Sequence, residues 1–318
     1  MKSISILTPC YNEEGNVEEL YSRVRAVMAD LGRYRYEHIF IDNHSSDRTV
    51  EILKGIAAAD TNVKVIVNAR NFGHIRSPMH AFFQTTGDAV IGIVADLQDP
   101  PEMIADLVRE WEKGYPMVLC IKRTSGEHPL TFRIRKMYYR MIARLSQIET
   151  FENFTGFGLY DRRVVEIVKS FNDPYPYFRG VIAEIGLPHV KLYYDQPARK
   201  RGFTKNNFYS LYDMGMLAIT NLSKVPLRMV TFTGFATAGI SALVGVVYLI
   251  YKLLYWNRFE GGIAPLVIGI FFFASVQLIS VGILGEYVAS IHTQVQRRPL
   301  VIEQERVNFE YEPGTPKQ

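Results

Sequence analysis

Apolar and polar positions follow two different regimes along this chain. Over the first hundred residues, short apolar runs alternate with stretches whose apolar positions recur at helical spacing; beyond residue 229 the apolar runs become long and free of charge. In the first regime, residues 4–8 form an apolar run stopped by Pro9, after which Val17, Leu20, Tyr21, Val24, Val27, Met28 and Leu31 repeat every three or four positions. That is a strand followed by an amphipathic helix. Residues 38–41, 63–67 and 89–94 read as further buried strands, and 48–58 as a second helix. Strands separated by helices predict an α/β fold with a mostly parallel sheet and helices on both faces. Ligands of such sheets bind beyond the carboxyl ends of the strands. Function is therefore expected at residues 9–14, 42–47, 68–73 and 96–99.

The second regime predicts a membrane anchor. Residues 229–251 and 261–285 each exceed the roughly 20 residues that a helix needs to cross a hydrocarbon core. Buried core helices of that length normally carry a polar stripe, which these lack. Tyr255 and Trp256 in the intervening polar hairpin suit an interfacial belt, although Lys252 and Arg258 lie there too. Lys224 and Arg228 before the first span, and Arg297 and Arg298 after the second, place both outer flanks and the large N-terminal part in the cytoplasm. Four regions follow: a catalytic domain over 1–205, a juxtamembrane amphipathic helix over 206–228, a two-helix anchor over 229–289 and a cytoplasmic tail over 290–318. Within the tail, residues 301–318, with Pro313, Gly314 and Pro316, are expected to be mobile.

Composition changes this picture little. The 318 residues are 48% hydrophobic, with the excess in the last third, and the net charge of +4 is too diffuse for a nucleic-acid partner. The first seven residues hold too short an apolar run for a signal peptide. Cys10 and Cys120 lack any CxxC partner and read as reduced, buried thiols. His44, His74 and His80 match no zinc spacing.

The strand ends are polar and acidic. No GxGxxG follows the first strand and no Walker-type loop is present. Asp96, Gln98 and Asp99, closely spaced after the fourth strand, offer oxygen ligands to a divalent cation that also grips substrate phosphates; a solvated acidic turn is the alternative.

Four ordered segments carry a resemblance: Thr8-Pro9-Cys10-Tyr11-Asn12-Glu13-Glu14, then Ile41 through Thr49, then Arg70-Asn71-Phe72-Gly73, then Ala95 through Glu102. With Asp161-Arg162-Arg163, Phe178-Arg179-Gly180, Arg199-x-x-Gly202-x-Thr204-Lys205 and Pro226-Leu227-Arg228, they make the chain similar to family 2 glycosyltransferases of the GT-A (Rossmann-like) fold. Within these it resembles the polyprenyl-phosphate group, which includes dolichyl-phosphate mannose synthases and enzymes that load glucose onto undecaprenyl phosphate. The resemblance implies that Pro9, Tyr11, Asn12, Glu13, Asp42, Asn71 and Gly73 bind a nucleotide-sugar donor. It implies that Asp96 and Gln98 hold Mg²⁺ or Mn²⁺ under the diphosphate, and that Arg199, Thr204 and Lys205 reach phosphate groups of donor or acceptor. Three departures surround this pocket. Val94 stands where the family writes the first carboxylate of its paired motif, Asn43 and His44 replace the usual Asp-Gly, and Gly156-Phe157-Gly158-Leu159 replaces Asp-Phe-Arg-Leu.

The acceptor is expected at the membrane. Residues 132–145 set Arg133, Lys136, Arg140 and Arg144 opposite Ile134, Tyr138, Met141, Ile142 and Leu145, and with Arg135 form a basic amphipathic helix suited to headgroups. An ordinary helix on the sheet fits the same pattern. Residues 207–224 make a second approach helix. Small residues such as Ala238, Ser241, Ala242 and Gly245 permit close helix contact, consistent with a homo-oligomer, a dimer or tetramer. Three functions are compatible with these features: an inverting, metal-dependent hexosyltransferase acting on polyprenyl phosphate at the inner membrane, a processive synthase on the same fold, and a catalytically altered scaffold. No Gln-x-x-Arg-Trp sequence precedes Trp111 or Trp256, which argues against the synthase.

Overall fold

The structure is a computed structural model and describes residues 1–123, 151–197, 208–255 and 263–309. Among these residues eight strands form one sheet: β1 (Ser3–Cys10), β2 (Arg35–Asp42), β3 (Val63–Asn68), β4 (Ala89–Gly92), β5 (Met117–Lys122), β6 (Phe154–Asp161), β7 (His189–Tyr194) and β8 (Glu303–Val307). Their order across the sheet is β7-β5-β6-β4-β1-β2-β3-β8. The strands β4, β1, β2 and β3 run parallel, as does the β5/β7 pair. Antiparallel β6 joins these two parallel groups, and β8 closes the far edge antiparallel to β3.

Both faces of the parallel strands are covered, which is why they read as continuous apolar runs rather than alternating ones. On one face Ile4, Ile6, Phe40 and Val65 meet the apolar stripes of α1 (Val17–Asp30), α2 (Thr49–Ala59) and α4 (Ile104–Glu112). On the other, Leu7, Ile39, Ile41 and Ile66 share a core with α3 (Gly73–Gln84), α5 (Arg162–Ser170) and α6 (Phe178–Ile185). Successive strand residues such as Ile6 and Leu7 therefore serve different cores, as the two-residue period of a strand requires. Both cysteines are free and buried, and Asp88 accepts the Ser3 backbone N–H at 2.7 Å, tying the segment before β4 to the start of β1.

Among the described residues three helices follow β7: α7 (Phe208–Leu222), α8 (Val225–Leu254) and α9 (Ile263–Val295). The last two, of 30 and 33 residues, are long and apolar enough to cross a membrane, and none of either apolar window is buried within the chain. The alternative of buried core helices is thereby overturned. Each is longer than its apolar run, because Arg228, Lys252 and Glu286 and their neighbours extend the helices past the charge-free segments. The Tyr212 hydroxyl donates to Glu286 Oε1 at 2.8 Å, and that of Tyr287 to the Ser223 carbonyl at 2.7 Å, fixing α9 against α7 and the α7–α8 junction.

The C-terminal segment corrects one expectation. Read as a mobile tail, it instead returns to the sheet: Arg297, two residues past the end of α9, lies in the left-handed region at φ 46°, and β8 then pairs with β3. Side chains fasten it. Lys54 pairs with Glu305 at 2.6 Å, His80 bonds Glu303, and Asn308 donates to the carbonyls of Ala57 and Val63 at 2.7 and 2.9 Å. Residues 310–318 lie outside the described residues.

Candidate active site

The loops beyond β1, β2 and β4 each contain one residue held in the left-handed region: Asn12 (φ 55°), His44 (φ 67°) and Leu97 (φ 59°). Leu97 is the most costly, since a bulky side chain rarely adopts this backbone. It is held by burial, being only 4% exposed, and the resulting turn sets Asp96 and Gln98 on either side of it. The Gln98 backbone N–H donates to Asp96 Oδ1 at 3.2 Å. At His44 the family's usual glycine would take this conformation without strain.

The first two loops are laced together. Asn12 donates its backbone N–H to Ser45 Oγ at 2.8 Å and accepts from the Ser46 backbone at 2.7 Å; Glu13 donates its N–H to Thr49 Oγ1 at 2.8 Å. Asp42 is fully buried and accepts both the backbone N–H (2.9 Å) and the hydroxyl of Ser45. Burial raises its pKa, against the Ser45 hydrogen bonds. The organising residue is Asn43. Its Nδ2 donates to Asn71 Oδ1 at 2.9 Å and to the Gly73 carbonyl at 3.2 Å, while its Oδ1 accepts from Asn68 Nδ2 at 3.1 Å and from the Phe72 backbone at 2.9 Å. One buried amide thus positions the loop from β3 into α3.

These loops enclose a cleft of about 720 Å³, within the range of small-molecule sites. Pro9, Tyr11, Glu13, Asn71, Gly73 and Asp96, six of the residues expected from the sequence, line it. Asn12, Asp42 and Gln98 are not among its lining residues; they hold the loops that shape it. Arg133, Arg135, Arg199, Thr204 and Lys205 lie outside the described residues, as does the amphipathic helix expected at 132–145. The second approach helix is α7.

Asp99 shares the acidic end of the cleft with Asp96 and is 3% exposed. Burial pushes its carboxyl up to about 6; the Tyr194 hydroxyl, donating to Oδ1 at 2.9 Å, opposes this, and the charge of Asp96 adds to it. Val94, in the position of the missing carboxylate, is 39% exposed, and its backbone N–H approaches Asp99 Oδ2 at 3.4 Å. Cys10 lines the cleft, but burial and the charges of Asp42, Glu13 and Asp47 raise its thiol pKa, away from the thiolate form that a nucleophile needs.

The opposite wall comes from β6 and α6: Thr155, Phe157, Tyr160, Phe178 and Arg179. Phe82 and Tyr160 meet Phe178 edge-on at 5.6 and 5.3 Å between ring centroids. Gly156 lies at φ 103°, and a Cβ on Gly158 would overlap the Val118 carbonyl oxygen. The glycines that replace Asp and Arg here are therefore tied to the local backbone. Of this wall the sequence motifs contain Phe178 and Arg179, with Phe157 inside a departure; Thr155 and Tyr160 lie in none, and Asn43 enters as a departure. The signal for Asn43 was its place directly after Asp42 at a strand end, with asparagines again at 68 and 71.

Among the described residues no group of three His, Cys, Asp or Glu side chains converges as a metal cluster.

Residues 5–168 match the family model Glycosyl transferase family 2. The chain is 33% identical over 311 residues to an uncharacterized glycosyltransferase of Synechocystis sp. (strain ATCC 27184 / PCC 6803 / Kazusa), covering 98% of this chain and 97% of the relative. It is 34% identical over 301 residues to the SfII prophage-derived bactoprenol glucosyl transferase of Shigella flexneri, covering 94% and 96%. Glucosyl-3-phosphoglycerate synthase from Mycobacterium tuberculosis aligns over 69% of this chain and 78% of its own, with 20% identity and a TM-score of 0.44.

Proposed function

The chain belongs to glycosyl transferase family 2, and from that premise we propose that it transfers a sugar from a nucleotide donor, a UDP-hexose, to undecaprenyl phosphate or a similar polyprenyl phosphate. Transfer takes place at the cytoplasmic leaflet of the inner membrane and yields a lipid-linked monosaccharide for cell-surface glycans. One observation carries this reading: an acidic cleft at the sheet's carboxyl edge is joined in one chain to two long apolar helices that none of the described residues cover. The bactoprenol glucosyl transferase to which the chain is similar over 94% of its length supports the acceptor class.

A lipid phosphate is already ionised at neutral pH, so the reaction needs no strong general base. Catalysis then rests on positioning two substrates and on neutralising the departing diphosphate. Attack of the phosphate oxygen on the anomeric carbon, opposite the leaving diphosphate, inverts that centre. Pro9, Tyr11 and Glu13 would seat the nucleoside, and Asn71 and Gly73 would border the sugar and diphosphate. Arg199 and Lys205 would bring positive charge to phosphate oxygens.

Mg²⁺ or Mn²⁺ fits the donor set. Mg²⁺ is commonly held by one or two carboxylates together with substrate phosphates, and Asp96 and Asp99 repel one another across the acidic end of the cleft. Asp96 would hold the cation, with Asp99 beside it in the cleft and Gln98 next in the same turn, and when bound it would supply charge neutralisation at the diphosphate. The protein's own part is to fix the Asp96 loop through Leu97 and to exclude water with the aromatic wall.

The test is to incubate the full chain in detergent with undecaprenyl phosphate and a panel of labelled nucleotide sugars, with and without Mg²⁺. Metal-dependent appearance of one labelled monosaccharide-lipid is expected. Absence of labelled lipid with every donor would favour a catalytically altered scaffold, and long polymer would favour a synthase.

A further inference from the structure

A second charged locus lies outside the cleft, where α9 hands the chain back to the sheet. The Arg76 Nη2 donates to the Pro299 carbonyl at 2.6 Å, which brings α3 against the segment that follows α9. Arg298 precedes that proline, three residues beyond the end of α9 at Val295. Arg70 and Arg76 both lie over the Phe72 ring, their guanidinium carbons 4.0 and 5.2 Å from its centroid. Phe72 is 7% exposed and anchored through its backbone to Asn43, so it forms a fixed platform for the two cations.

Three guanidinium groups gathered in this way repel one another. The pKa of Arg76 is lowered by burial first and then by the charges of Arg70 and Arg298. Among the described residues no carboxylate forms an ion pair with any of the three, and the Arg76 Nε is buried without a hydrogen-bond partner. Arg70 spends one N–H on the Asn71 carbonyl at 3.0 Å, and Arg70 and Arg298 are exposed. Guanidinium groups with unused donors, assembled at a cost in repulsion, match the chemistry of a phosphate, which accepts several charge-assisted hydrogen bonds at once.

Position selects the source of that phosphate. From the end of its charge-free run at Gly285, α9 continues for ten residues to Val295, a rise of about 15 Å, and the three residues that follow span at most about 11 Å, so Arg298 lies about 4–26 Å beyond that run, a range that takes in the headgroup layer. We propose that Arg70, Arg76 and Arg298 form a headgroup site for an anionic phospholipid of the bilayer, which braces the α3 wall of the cleft against the membrane surface. Gly73 and His74, immediately after the Phe72 platform, line the cleft, so a lipid held here sits beside the donor cavity while remaining separate from the reacting phosphate. The proposal rests on the reading that α8 and α9 cross a bilayer, and does not depend on which sugar is moved.

The full chain, purified in a neutral detergent, is titrated with phosphatidylglycerol, with phosphatidylcholine and with inorganic phosphate, and the rise in Tm gives an apparent affinity for each. Phosphatidylglycerol should stabilise the protein and phosphatidylcholine should not. Each of Arg70→Gln, Arg76→Gln and Arg298→Gln should weaken the phosphatidylglycerol effect about fivefold, and the triple variant on the order of a hundredfold, since each basic residue near a charged surface contributes comparably. If the triple variant fails to fold, the exposed single variants Arg70→Gln and Arg298→Gln carry the same test. An undiminished phosphatidylglycerol response in the variants, or no response in the parent, overturns the proposal. So does an equal response to inorganic phosphate at the same concentration, which would mark a free-anion site. Failure of the glycosyl-transfer reading is separate: it shows as absent turnover with the lipid response intact.

Discussion

The Tyr194 hydroxyl, at the end of β7, donates a 2.9 Å hydrogen bond to Asp99 Oδ1, in the acidic loop that follows β4. Two ends of the sheet that are 95 residues apart in sequence are thereby fixed to one another at the cleft. Thr155, which lines the cleft, hydrogen-bonds the same phenol. Tyr194→Phe keeps the packing against Phe157, at 5.5 Å between ring centroids, but leaves a buried carboxyl short of a donor. A loss of about 1–3 kcal/mol in stability is expected, with a larger loss in turnover than in donor affinity. Chemical denaturation and steady-state kinetics measure the two; unchanged turnover would mean that the acidic loop holds its shape without the tyrosine.

Asn43→Asp is nearly isosteric and should still be costly. The exchange sets a carboxylate oxygen against Asn71 Oδ1 and the Gly73 carbonyl, which now accept from the amide at 2.9 and 3.2 Å. Loss of about 1–3 kcal/mol in stability and weaker nucleotide binding, read by calorimetry with UDP, are expected. Parent-like binding and stability would show that the β3–α3 loop is set by other contacts.

His38 predicts an acid sensitivity. It is fully buried, its Nε2 lies 2.9 Å from Thr8 Oγ1, and its ring sits 3.9 Å from that of Phe40. Burial pushes its pKa down to about 3, with the charge of Asp60 opposing. The folded protein keeps the ring neutral while the unfolded chain protonates it below about 6.5. Its contribution is therefore complete above that pH and is lost as pH falls toward 3, at up to about 1.4 kcal/mol per pH unit. His38→Phe should be less stable than the parent at pH 7.5 but should lose less Tm between pH 7.5 and 4.5. An equal Tm loss in both proteins would contradict the assignment.

Removal of residues 301–318 tests the return of the chain to the sheet. The deletion uncovers the β3 edge and removes Val301, which is 6% exposed. Its burial alone is worth about 1.5–3 kcal/mol, so a marked fall in Tm is expected, together with aggregation through the bare edge. A truncated protein with unchanged Tm would make the strand an ornament of the sheet.

The parts legible in the sequence were those with strong periodicity. The strands β1 to β4 and helices α1 and α2 announced themselves because buried parallel strands and amphipathic helices differ in spacing, and the two apolar helices because nothing else is that long without charge. β8 was not legible. Glu303-Gln304-Glu305-Arg306 is an edge strand whose fit depends on Lys54, His80 and Gln84 from elsewhere in the chain, and no local pattern reports such partners. Within the cleft, Pro9, Tyr11, Glu13, Asn71, Gly73 and Asp96 are recognisable from their motifs. The roles of Asn43, Thr155 and Tyr194 arise from contacts between distant loops and became visible only in the fold.

The central claim is that the Asp96 end of the cleft transfers a sugar to a lipid phosphate, and its most direct measurement compares the parent with Asp96→Asn. Both are purified in detergent, matched in Tm, and supplied with undecaprenyl phosphate, Mg²⁺ and labelled nucleotide sugars; label entering the lipid phase is then counted. The parent should form a labelled monosaccharide-lipid with one donor, and the variant should fall at least about a hundredfold, the scale of losing a key electrostatic contact. Parent-like turnover by Asp96→Asn, or no labelled lipid from the parent with any donor, would contradict the account.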